Sequence, residues 1–464
     1  MAYQTCPPGP SGLPVLGSLL DIRRNPLQFL IRLQQQYGDV VYFRVGRRRL
    51  FLISEPEYIR EVLVTHHKAF IKSRALQLAR KVLGRGLLTS EGELHLRQRR
   101  MLQPEFHKRR VAEYGGRMVE IAAKLSTQWQ DGQTVDMARE MMHVTLRIAA
   151  NTLFSKDVDS HEADRVGEAL SIALRLFERV TSPFAEWLDY LPLPSTLRFR
   201  RARKQLDRII YSMIAERRHH PNPPHDLLTM LLQAQDTEGD GRGMSDRQVR
   251  DEAMTIFLAG HETTAIALTW TWYLLSEYPA VRQTLQQELD TVLRGRWPTV
   301  SDIPNLRYTR NVLAEAMRLY PPAYIIGREA VRKVQIGPYT LQPGDTVLMS
   351  QYIVHRLERF FPQPERFNPD RWTPEFQEQL PKFAYFPFGG GPRVCIGEPF
   401  AWMEGILVLA VLARDWTADL VPGHPVELLP LITLRPRHGL RMRLHRRQRN
   451  EHHAEIVKAH ANTP

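Results

Sequence analysis

The chain has 464 residues, 43% of them hydrophobic, which is enough for a large core. Lys and Arg number 63 against 50 Asp and Glu, and the net charge of +13 suits an anionic membrane or an acidic protein better than nucleic acid, because the sequence has neither a zinc-ligand cluster nor an RNA-binding signature. The two cysteines, Cys6 and Cys395, fit a reducing compartment and argue against a disulfide framework.

The first 60 residues contain no run of about 20 apolar residues, the length that a membrane-spanning helix needs. We therefore predict a protein without a membrane anchor, which opens with a proline-rich hinge over residues 1–25. A short amphipathic helix is predicted over 26–38. It is followed by a hairpin, because Val40–Val45 and Arg49–Ile53 alternate on either side of a short turn.

The rest of the chain has mostly helical periodicity, with little strand and no βαβ rhythm. Helices are predicted near 55–65, 93–103, 107–130, 137–154, 163–180, 197–218 and 225–236, and strands near 332–340, 345–350 and 429–435. Aromatic residues beside the Pro-rich joint predict a mobile entrance lid at 183–194. The fold class is therefore mainly α with small β-sheets, in a single intertwined domain over residues 1–445 with a polar, loosely ordered tail over 446–464.

One helix is predicted to cross the whole domain. Ser245 and Gln248 form a capping box, and the apolar stretch that follows runs to about Glu277, or roughly 45 Å. Its middle reads Ala259-Gly260-His261-Glu262-Thr263-Thr264, in which a buried carboxylate and two threonines are unfavourable. Either the threonines bond to their own turn in a kinked core helix, or the acid and the alcohol do chemistry.

A later helix ends at Pro321-Pro322 and carries Glu315 and Arg318 at the i, i+3 spacing that places them on one face. By itself this pair predicts no more than a surface ion pair, worth under about 1 kcal/mol.

A single thiol lies in the glycine-rich run Phe388-Gly389-Gly390-Gly391-Pro392-Arg393-Val394-Cys395-Ile396-Gly397. The glycines let backbone N–H groups approach the sulfur, and the arginine and the following helix favour its ionised form. Such a thiolate is suited to binding a metal from one side, and the alternative is a buried structural cysteine in a loop.

The order of Phe, Gly, Arg, Cys and Gly at offsets 0, 3, 5, 7 and 9 in this run resembles the haem-ligand signature of the cytochrome P450 superfamily. The resemblance covers the chain from the hinge at Pro7 to about Arg443. It implies the cytochrome P450 fold, haem b as the cofactor, Cys395 as the axial ligand of the iron, and Phe388 at the haem edge. A thiolate ligand of this kind favours cleavage of the O–O bond.

The resemblance also assigns roles to the other motifs. The run around Ala259 matches an oxygen-activation motif, in which Thr263 assists oxygen activation and Glu262 relays protons. The segment 364–369 resembles a second motif, through which Arg366 would join Glu315 and Arg318 in a buried network that braces the cysteine loop.

Two haem propionates need cationic or hydrogen-bonding partners. The family pattern Trp-x-x-x-Arg falls on His95 and Arg99, so that this chain places His where Trp is common. Arg393 and Arg328 are the other candidates that the resemblance provides.

The substrate pocket is inferred from the resemblance alone, and its members are mostly aliphatic. They are Leu76, Leu78, Val82, Leu87, Phe257, Ala259, Ala323, Ile325, Ile326, Ile432 and Thr433. They imply a lipophilic substrate such as a fatty acid, terpenoid or polyketide.

The resemblance therefore implies a haem-thiolate monooxygenase, a soluble bacterial enzyme of the cytoplasm that inserts one oxygen atom from O₂. The sequence has no flavin or nicotinamide fingerprint, so a ferredoxin or flavodoxin with its NAD(P)H reductase must supply electrons, steered by the basic run between Arg97 and Arg110. The alternatives are a peroxygenase or isomerase on the same fold, against which the acid and alcohol pair argues, and a non-catalytic haem sensor.

Overall fold

We describe the chain from a computed structural model, which describes residues 6–157, 167, 169, 172, 193–236, 239 and 241–448. These residues form a mainly α-helical protein with small β-sheets, as predicted. The predicted helix at 163–180 and the predicted lid at 183–194 lie outside the described residues, except for the isolated positions named above and the last two residues of the lid.

The helices begin and end close to the predicted positions. They are α1 (Leu19–Arg24), α2 (Pro26–Tyr37), α3 (Pro56–Arg60), α4 (Arg74–Leu83), α5 (Gly92–Leu102), α6 (Lys108–Gln128), α7 (Met137–Phe154), α8 (Pro194–His219), α9 (Leu227–Gln233), α10 (Asp246–Glu277), α11 (Pro279–Leu293), α12 (Arg307–Leu319), α13 (Gln351–Val354), α14 (Pro374–Gln379) and α15 (Glu398–Asp415). The strands are β1 (Val40–Val45), β2 (Arg48–Ile53), β3 (Phe70–Lys72), β4 (Thr134–Asp136), β5 (Ile326–Ala330), β6 (Val334–Ile336), β7 (Tyr339–Leu341), β8 (Thr346–Met349), β9 (Trp416–Leu420), β10 (Leu428–Pro430), β11 (Leu434–Pro436) and β12 (Arg441–Arg446).

Helix α10 is the axis of the fold and packs against α7, α12 and α15. The predicted capping box of Ser245 and Gln248 starts it. Its C-terminal half is anchored by Trp270 and Trp272, both essentially inaccessible to solvent. Since large aromatic side chains contribute most to core packing, these two tryptophans fix the position of the whole helix.

A five-stranded sheet in the order β1-β2-β8-β5-β3 covers one side of the helical core. Strands β2 and β8 are parallel, and the other pairs of this sheet are antiparallel. The register of β3 on β5 pairs Lys72 with Arg328, two residues that lie some 250 positions apart in the chain. The sheet therefore brings basic residues from distant segments together.

Two predicted strands are in fact hairpins. Residues 332–340 form the pair β6 and β7, which turns at Gly337 with a φ of 51°. Residues 429–435 contain β10, the turn at 431–433 and the start of β11. Because these turns are only a few residues long, they hardly interrupt the apolar pattern, and the two strands of each hairpin read as one in the sequence.

The two ends of the domain differ from the prediction. The proline-rich segment is fixed rather than a hinge, because the N–H of Tyr42 donates to the carbonyl of Pro8 (2.9 Å) and that of Ser18 to Arg44 (2.7 Å). At the other end β12 continues to Arg446, and Arg447 donates to Asp290 (2.8 Å), so the domain passes the predicted boundary at 445. The predicted tail beyond 448 lies outside the described residues.

Candidate functional site

The cysteine loop is held tightly against the π-helical turn at Glu61–Thr65. The N–H of Cys395 donates to the carbonyl of Phe388 (3.0 Å), which closes the loop. A Cβ at Gly391 would lie 2.0 Å from the carbonyl oxygen of Leu63, and Gly391 has a φ of 69°. Glycine is required here for both reasons, so the loop that carries the thiol is rigid.

The Cys395 thiol is enclosed by protein but keeps an accessible face. Burial raises its pKa, while backbone N–H groups of Gly397 and Glu398, at the start of α15, and the charge of Arg99 lower it. A metal ion would favour the ionised form further, because a coordinating thiol is deprotonated. The arrangement fits a thiolate ligand better than an inert core cysteine.

Basic side chains gather near this loop, and we refer to them as the cation cluster. Its members are Lys72, His95, Arg99, Arg328 and Arg393. They come from β3, α5, β5 and the cysteine loop. The four predicted propionate partners are thus brought together, and Lys72 is an addition that the sequence reading missed.

The cation cluster carries more positive charge than its surroundings balance. Burial, followed by repulsion from Arg393, lowers the pKa of Lys72 to about 6 and that of His95 to about 3. The same two causes lower the pKa of Arg328 to about 10. Glu91 pairs with Arg393 and accepts the backbone N–H of Lys72 (2.8 Å). With these pKa values Lys72 and His95 are neutral near pH 7, so the carboxylate of Glu91 faces the guanidiniums of Arg99, Arg328 and Arg393, and an anionic ligand would balance the remaining positive charge.

The predicted oxygen-activation residues lie in the middle of α10. Ala259, Gly260 and Thr263 form an accessible face, whereas His261 and Glu262 are buried. The hydroxyl of Thr263 donates to the carbonyl of Ala259 (2.9 Å), which is the back-bonding alternative from the sequence. The oxygen of that hydroxyl still faces the accessible side and can accept or re-donate a hydrogen bond.

Glu262 is a buried carboxyl group with two side-chain partners on one of its oxygens. It is 2% exposed, and Oε1 accepts from the Thr433 hydroxyl (2.5 Å) and pairs with the guanidinium of Arg435 (2.7 Å). Both partners belong to the β10–β11 hairpin. Glu262 is therefore bonded to the hairpin that carries the predicted pocket residue Ile432.

Glu315 and Arg318 form a buried network and not a surface pair, since neither side chain is exposed. Arg318 donates to both oxygens of Glu315 (2.8 and 2.9 Å), and Trp372 donates to Oε2 (2.9 Å). The predicted role of the Arg366 side chain is wrong in detail. Its backbone carbonyl accepts from Arg318 (3.1 Å), while the second guanidinium on Glu315 is that of Arg371 (2.9 Å).

The turn that follows Arg366 explains why Arg371, and not Arg366, contacts Glu315 through its side chain. Phe367 is buried, and the N–H of Asn368 donates to Glu315 (3.1 Å), so the backbone faces the carboxylate while the Arg366 side chain points to solvent and bonds to Gln363 (3.2 Å). The 3₁₀ turn at Pro369–Arg371 then directs the side chain of Arg371 toward Glu315.

Comparison with known proteins identifies the family to which this arrangement belongs. A family model described as Cytochrome P450 matches residues 7–437. The chain belongs to the cytochrome P450 family. The predicted fold, the haem cofactor and the monooxygenase class of oxidoreductase are thereby confirmed.

Individual relatives cover nearly the whole chain. "Cyclooctatin synthase" of Streptomyces melanosporofaciens is 38% identical over 92% of this chain and 92% of its own length. "Cyclooctat-9-en-7-ol 5-monooxygenase" of the same organism is 37% identical over 89% of this chain and 90% of its own length. The crystal structure of the cytochrome P450DA heme domain superposes with a TM-score of 0.86 at 27% identity, covering 97% of this chain and 99% of that one.

The residues of this P450 fit a bound haem. The accessible thiol of Cys395 would bind the iron as a thiolate, and the cation cluster would supply the positive charge that two propionates need. Arg99 also donates to the carbonyl of Val394 (2.7 Å), so it can hold a propionate and the cysteine loop together. Phe388, at the start of the loop, packs beside Trp402.

The predicted substrate residues come together only in part. Ala323 and Ile432 lie close, because the Tyr324 hydroxyl donates to the carbonyl of Leu431 (3.0 Å) and the N–H of Leu434 to Pro322 (3.0 Å). Ala259 is on the accessible face of α10. Leu76 and Leu78 on α4, with Ile325 and Ile326 before and in β5, are partly exposed.

Two of the predicted pocket residues have other surroundings. Val82 is 3% exposed and belongs to the main core. Phe257 shares a face of α10 with Ala253 and Met254, and with them lines a cavity of about 130 Å³ between α7, α8, α9 and α10. In a helix of 3.6 residues per turn this face is rotated away from that of Ala259 and Thr263, which the sequence reading did not take into account.

The sequence reading also missed Lys72 and Glu404. The alternation of Phe70, Ile71 and Lys72 in β3, with the first and third buried, is the signal that could have found the lysine. Glu404 on α15 is fully buried, neither of its oxygens has a hydrogen-bond partner among the described residues, and burial raises its pKa well above the usual value. Thr264 opposes that rise only in part.

No helix among the described residues is both long and apolar enough to span a membrane.

Proposed function

We propose that this P450 binds haem b through Cys395 and inserts one oxygen atom from O₂ into a lipophilic terpenoid. The observation that carries the assignment is the rigid, accessible thiol of Cys395 beside a buried surplus of cations. A core cysteine would need neither the N–H groups directed at its sulfur nor the charge around it.

Different residues of the protein have separate roles in this proposal. When bound, the haem supplies the redox chemistry that activates O₂. Cys395 binds its iron as a thiolate, and Arg99, Arg328 and Arg393 hold its carboxylates. The Thr263 hydroxyl, on the accessible face of α10, donates a hydrogen bond toward that face or passes a proton across it.

Glu262 is the acid that feeds protons to Thr263 in this proposal. Arg435 and Thr433 both contact Oε1, so Oε2 is the oxygen that can carry a proton inward without breaking either contact. Because both partners lie in the β10–β11 hairpin, which also carries Ile432, a substrate that displaced the hairpin would also move Glu262.

The substrate class rests on two supports. The predicted pocket residues that face accessible space are aliphatic, namely Leu76, Leu78, Ile325, Ile326 and Ile432. The relatives named above carry the names of a synthase for cyclooctatin and a monooxygenase of cyclooctat-9-en-7-ol, and the second is a terpenoid monooxygenase. A polycyclic hydrocarbon or its alcohol suits such a lining.

A separate protein must deliver electrons, and a ferredoxin or flavodoxin with its NAD(P)H reductase is the proposed source. Part of the predicted basic run is already paired, since Arg97 and Arg100 contact Asp236. Lys108 and Arg109 at the start of α6 are exposed and carry no recorded ion pair within the described residues. They are the remaining candidates for steering an acidic partner.

The deciding experiment is the spectrum of the reduced protein with carbon monoxide. A Soret maximum at the position of thiolate ligation is expected, and its loss in Cys395→Ser. A maximum at the position of imidazole ligation would overturn the assignment of the ligand. Product formed from cyclic terpenes with NADH and a surrogate ferredoxin system is the second measurement, and activity with peroxide alone would support the peroxygenase alternative.

A further inference from the structure

The N-terminal end of the domain exposes an unusual number of apolar side chains. Nine large apolar side chains are exposed in the described part of the chain, and four of them fall within eight consecutive residues. These are Leu13 (49%), Val15 (83%), Leu16 (39%) and Leu20 (54%). Single exposed apolar residues need no explanation, but a group of them marks an interaction site.

The loop that carries this group is rigid. The N–H of Leu13 donates to the carbonyl of Gly17 (2.9 Å) and that of Gly17 to Leu13 (2.8 Å). Between them Val15 has a φ of 64°, a conformation that a β-branched residue rarely adopts. A β-branched apolar residue in a left-handed position and in contact with solvent costs folding free energy, so its presence points to a function outside the fold.

Arginines surround the loop. Arg23 and Arg24 end α1, while Arg44, Arg47 and Arg48 belong to β1, the turn after it and the start of β2, and all five are exposed. The loop lies directly against this turn. The N–H of Ser18 donates to the carbonyl of Arg44 (2.7 Å), and that of Gly46 to Leu16 (3.0 Å).

The charge of this surface is strongly one-sided. Within residues 11–24 and 44–48 the single acidic residue is Asp21. The structure records no ion pair for Arg23, Arg24, Arg44 or Arg47 with any residue that it describes. We call residues 13–24 with the turn 44–48 the N-terminal patch.

We propose that the N-terminal patch docks the protein onto the surface of an anionic lipid membrane. Val15, Leu16 and Leu20 enter the headgroup region, and the arginines contact lipid phosphates. Each basic residue near an anionic surface adds about fivefold to the binding constant. The mode is peripheral and agrees with the lack of a spanning helix in the described chain.

A membrane is favoured over an acidic protein or a second copy of the chain because of how the two kinds of residue are arranged. Four exposed apolar side chains fall within residues 13–20, and the exposed arginines lie at the end of α1 and in the turn that is hydrogen-bonded to this loop, a combination that suits a membrane with charged headgroups above hydrocarbon. Binding two proteins stably requires a broad, complementary surface instead. A second copy would also bring five arginines against five.

The N-terminal patch is connected with the predicted substrate pocket. Ile22 of α1 and Val45 of β1 pack in the same apolar cluster as Ile325, which precedes β5. A membrane at the patch would therefore lie against the sheet that leads to Ile325 and Ile326. This part of the argument rests on the proposed function, whereas membrane binding itself does not.

The test is flotation of the purified holoprotein with vesicles. Vesicles of phosphatidylglycerol and phosphatidylcholine are expected to carry the protein, and vesicles of phosphatidylcholine alone are not. Binding is expected to fall as salt is raised across the range in which surface charges are screened. Arg23→Gln with Arg24→Gln should weaken binding about twentyfold, and Val15→Asp at least tenfold.

Matched controls separate the patch from a general charge effect. Val331→Asp changes a valine that is also exposed (48%, against 83% for Val15) but lies beyond β5, near the opposite edge of the sheet, and should leave binding unchanged. Haem content and circular dichroism must be the same in all variants. Because Val15 is exposed, its substitution should not disturb folding.

Three results would overturn the proposal. They are equal binding to neutral vesicles, an effect of Val331→Asp as large as that of Val15→Asp, and a failure of the holoprotein to float with anionic vesicles. If, in addition, Val15→Asp changed the elution volume in size-exclusion chromatography, the patch would be an interface between copies. Normal turnover with a lost vesicle interaction would leave the proposed function intact, so the two proposals fail separately.

Discussion

Two buried groups of charges in this P450 differ in how completely their polar atoms are paired. Around Glu315 both carboxylate oxygens accept hydrogen bonds from Arg318, Arg371 and Trp372, and Arg318 also donates to the backbone carbonyls of His355 and Pro364. In the cation cluster Glu91 faces several basic side chains, and burial together with repulsion between them lowers the pKa values of Lys72, His95 and Arg328.

This difference in pairing distinguishes residues that stabilise the fold from residues that bind a ligand. A buried ion pair repays its desolvation only when geometry and hydrogen bonding are complete, as they are at Glu315. A buried surplus of one sign cannot be a source of stability, so it persists because a bound anion relieves it. Removing a charge from the Glu315 network should therefore lower the free energy of unfolding, whereas removing a cation from the cation cluster should not.

The largest effect is expected for Glu315→Gln. Loss of the carboxylate leaves the guanidiniums of Arg318 and Arg371 buried without a counter-charge, which typically costs 3–5 kcal/mol. The free energy of unfolding in urea should fall by about that amount. The haem content of the purified protein should be lost as the cysteine loop loosens.

Arg366→Gln is the matched control for this prediction. Its side chain is exposed and only its backbone carbonyl takes part in the network, so stability should change by less than about 0.5 kcal/mol. If Glu315→Gln kept full haem content, the network would not brace the cysteine loop. If Arg366→Gln were as harmful as Glu315→Gln, the exchange of Arg366 for Arg371 would be incorrect.

The second-largest effect is expected for Arg328→Met, which should weaken haem binding without destabilising the haem-free protein. Removal of one buried cation relieves repulsion, so the haem-free protein should be at least as stable as before. The holoprotein should release haem about 10–100-fold faster to an acceptor such as apomyoglobin, the range typical for loss of a residue that supports a metal site.

Arg332→Met, an exposed arginine four residues further along the chain, is the control for Arg328 and should change neither quantity. A haem-free Arg328→Met protein that unfolded more easily than the parent would show that the cation cluster is not strained.

The sequence predicted those parts of the fold and site that depend on local patterns. The capping box of α10, the glycines beside Cys395 and the spacing of Glu315 and Arg318 each act within a few residues. The spacing predicted that Glu315 and Arg318 would pair, whereas their burial in a network was expected only from the resemblance to the P450 family. The four propionate candidates also came from that resemblance.

Other residues could not be predicted because their roles depend on how distant elements meet. Lys72 joins the cation cluster through the register of β3 on β5, and Arg371 replaces Arg366 through the direction of one turn. Glu404 looks like an ordinary helical residue until α15 packs against α10. Phe257 is a different case, because the helical period alone places it on another face of α10 than Ala259 and Thr263.

The effect expected per pH unit is smaller for the dependence of stability on pH in the haem-free protein. The pKa of Lys72 is about 6 in the folded chain against 10.5 for a free lysine. Between these values the unfolded chain binds a proton that the folded chain does not, so the unfolding free energy should rise with pH from about 6 to 10, by at most about 1.4 kcal/mol per pH unit.

Below pH 6 the folded lysine is protonated too, and its contribution to the slope disappears. Urea unfolding at several pH values measures the slope, and Lys72→Met should reduce it. Haem should reduce it as well, because propionates favour the charged lysine. A slope that Lys72→Met left unchanged would assign the pH dependence to other groups and remove Lys72 from the cation cluster.

The smallest effect is expected for Glu404→Gln, which contrasts directly with Glu315→Gln. Both glutamates are fully buried, but Glu404 has no ion-pair partner among the described residues and its raised pKa keeps it neutral. At pH 5 an amide of the same shape should therefore change the unfolding free energy by less than about 1 kcal/mol. As pH rises, the unfolded carboxyl loses its proton and the folded one retains it, so the parent loses stability relative to Glu404→Gln. A loss at pH 5 as large as that of Glu315→Gln would mean that Glu404 is ionised and paired, and that burial alone does not distinguish the two groups of charges.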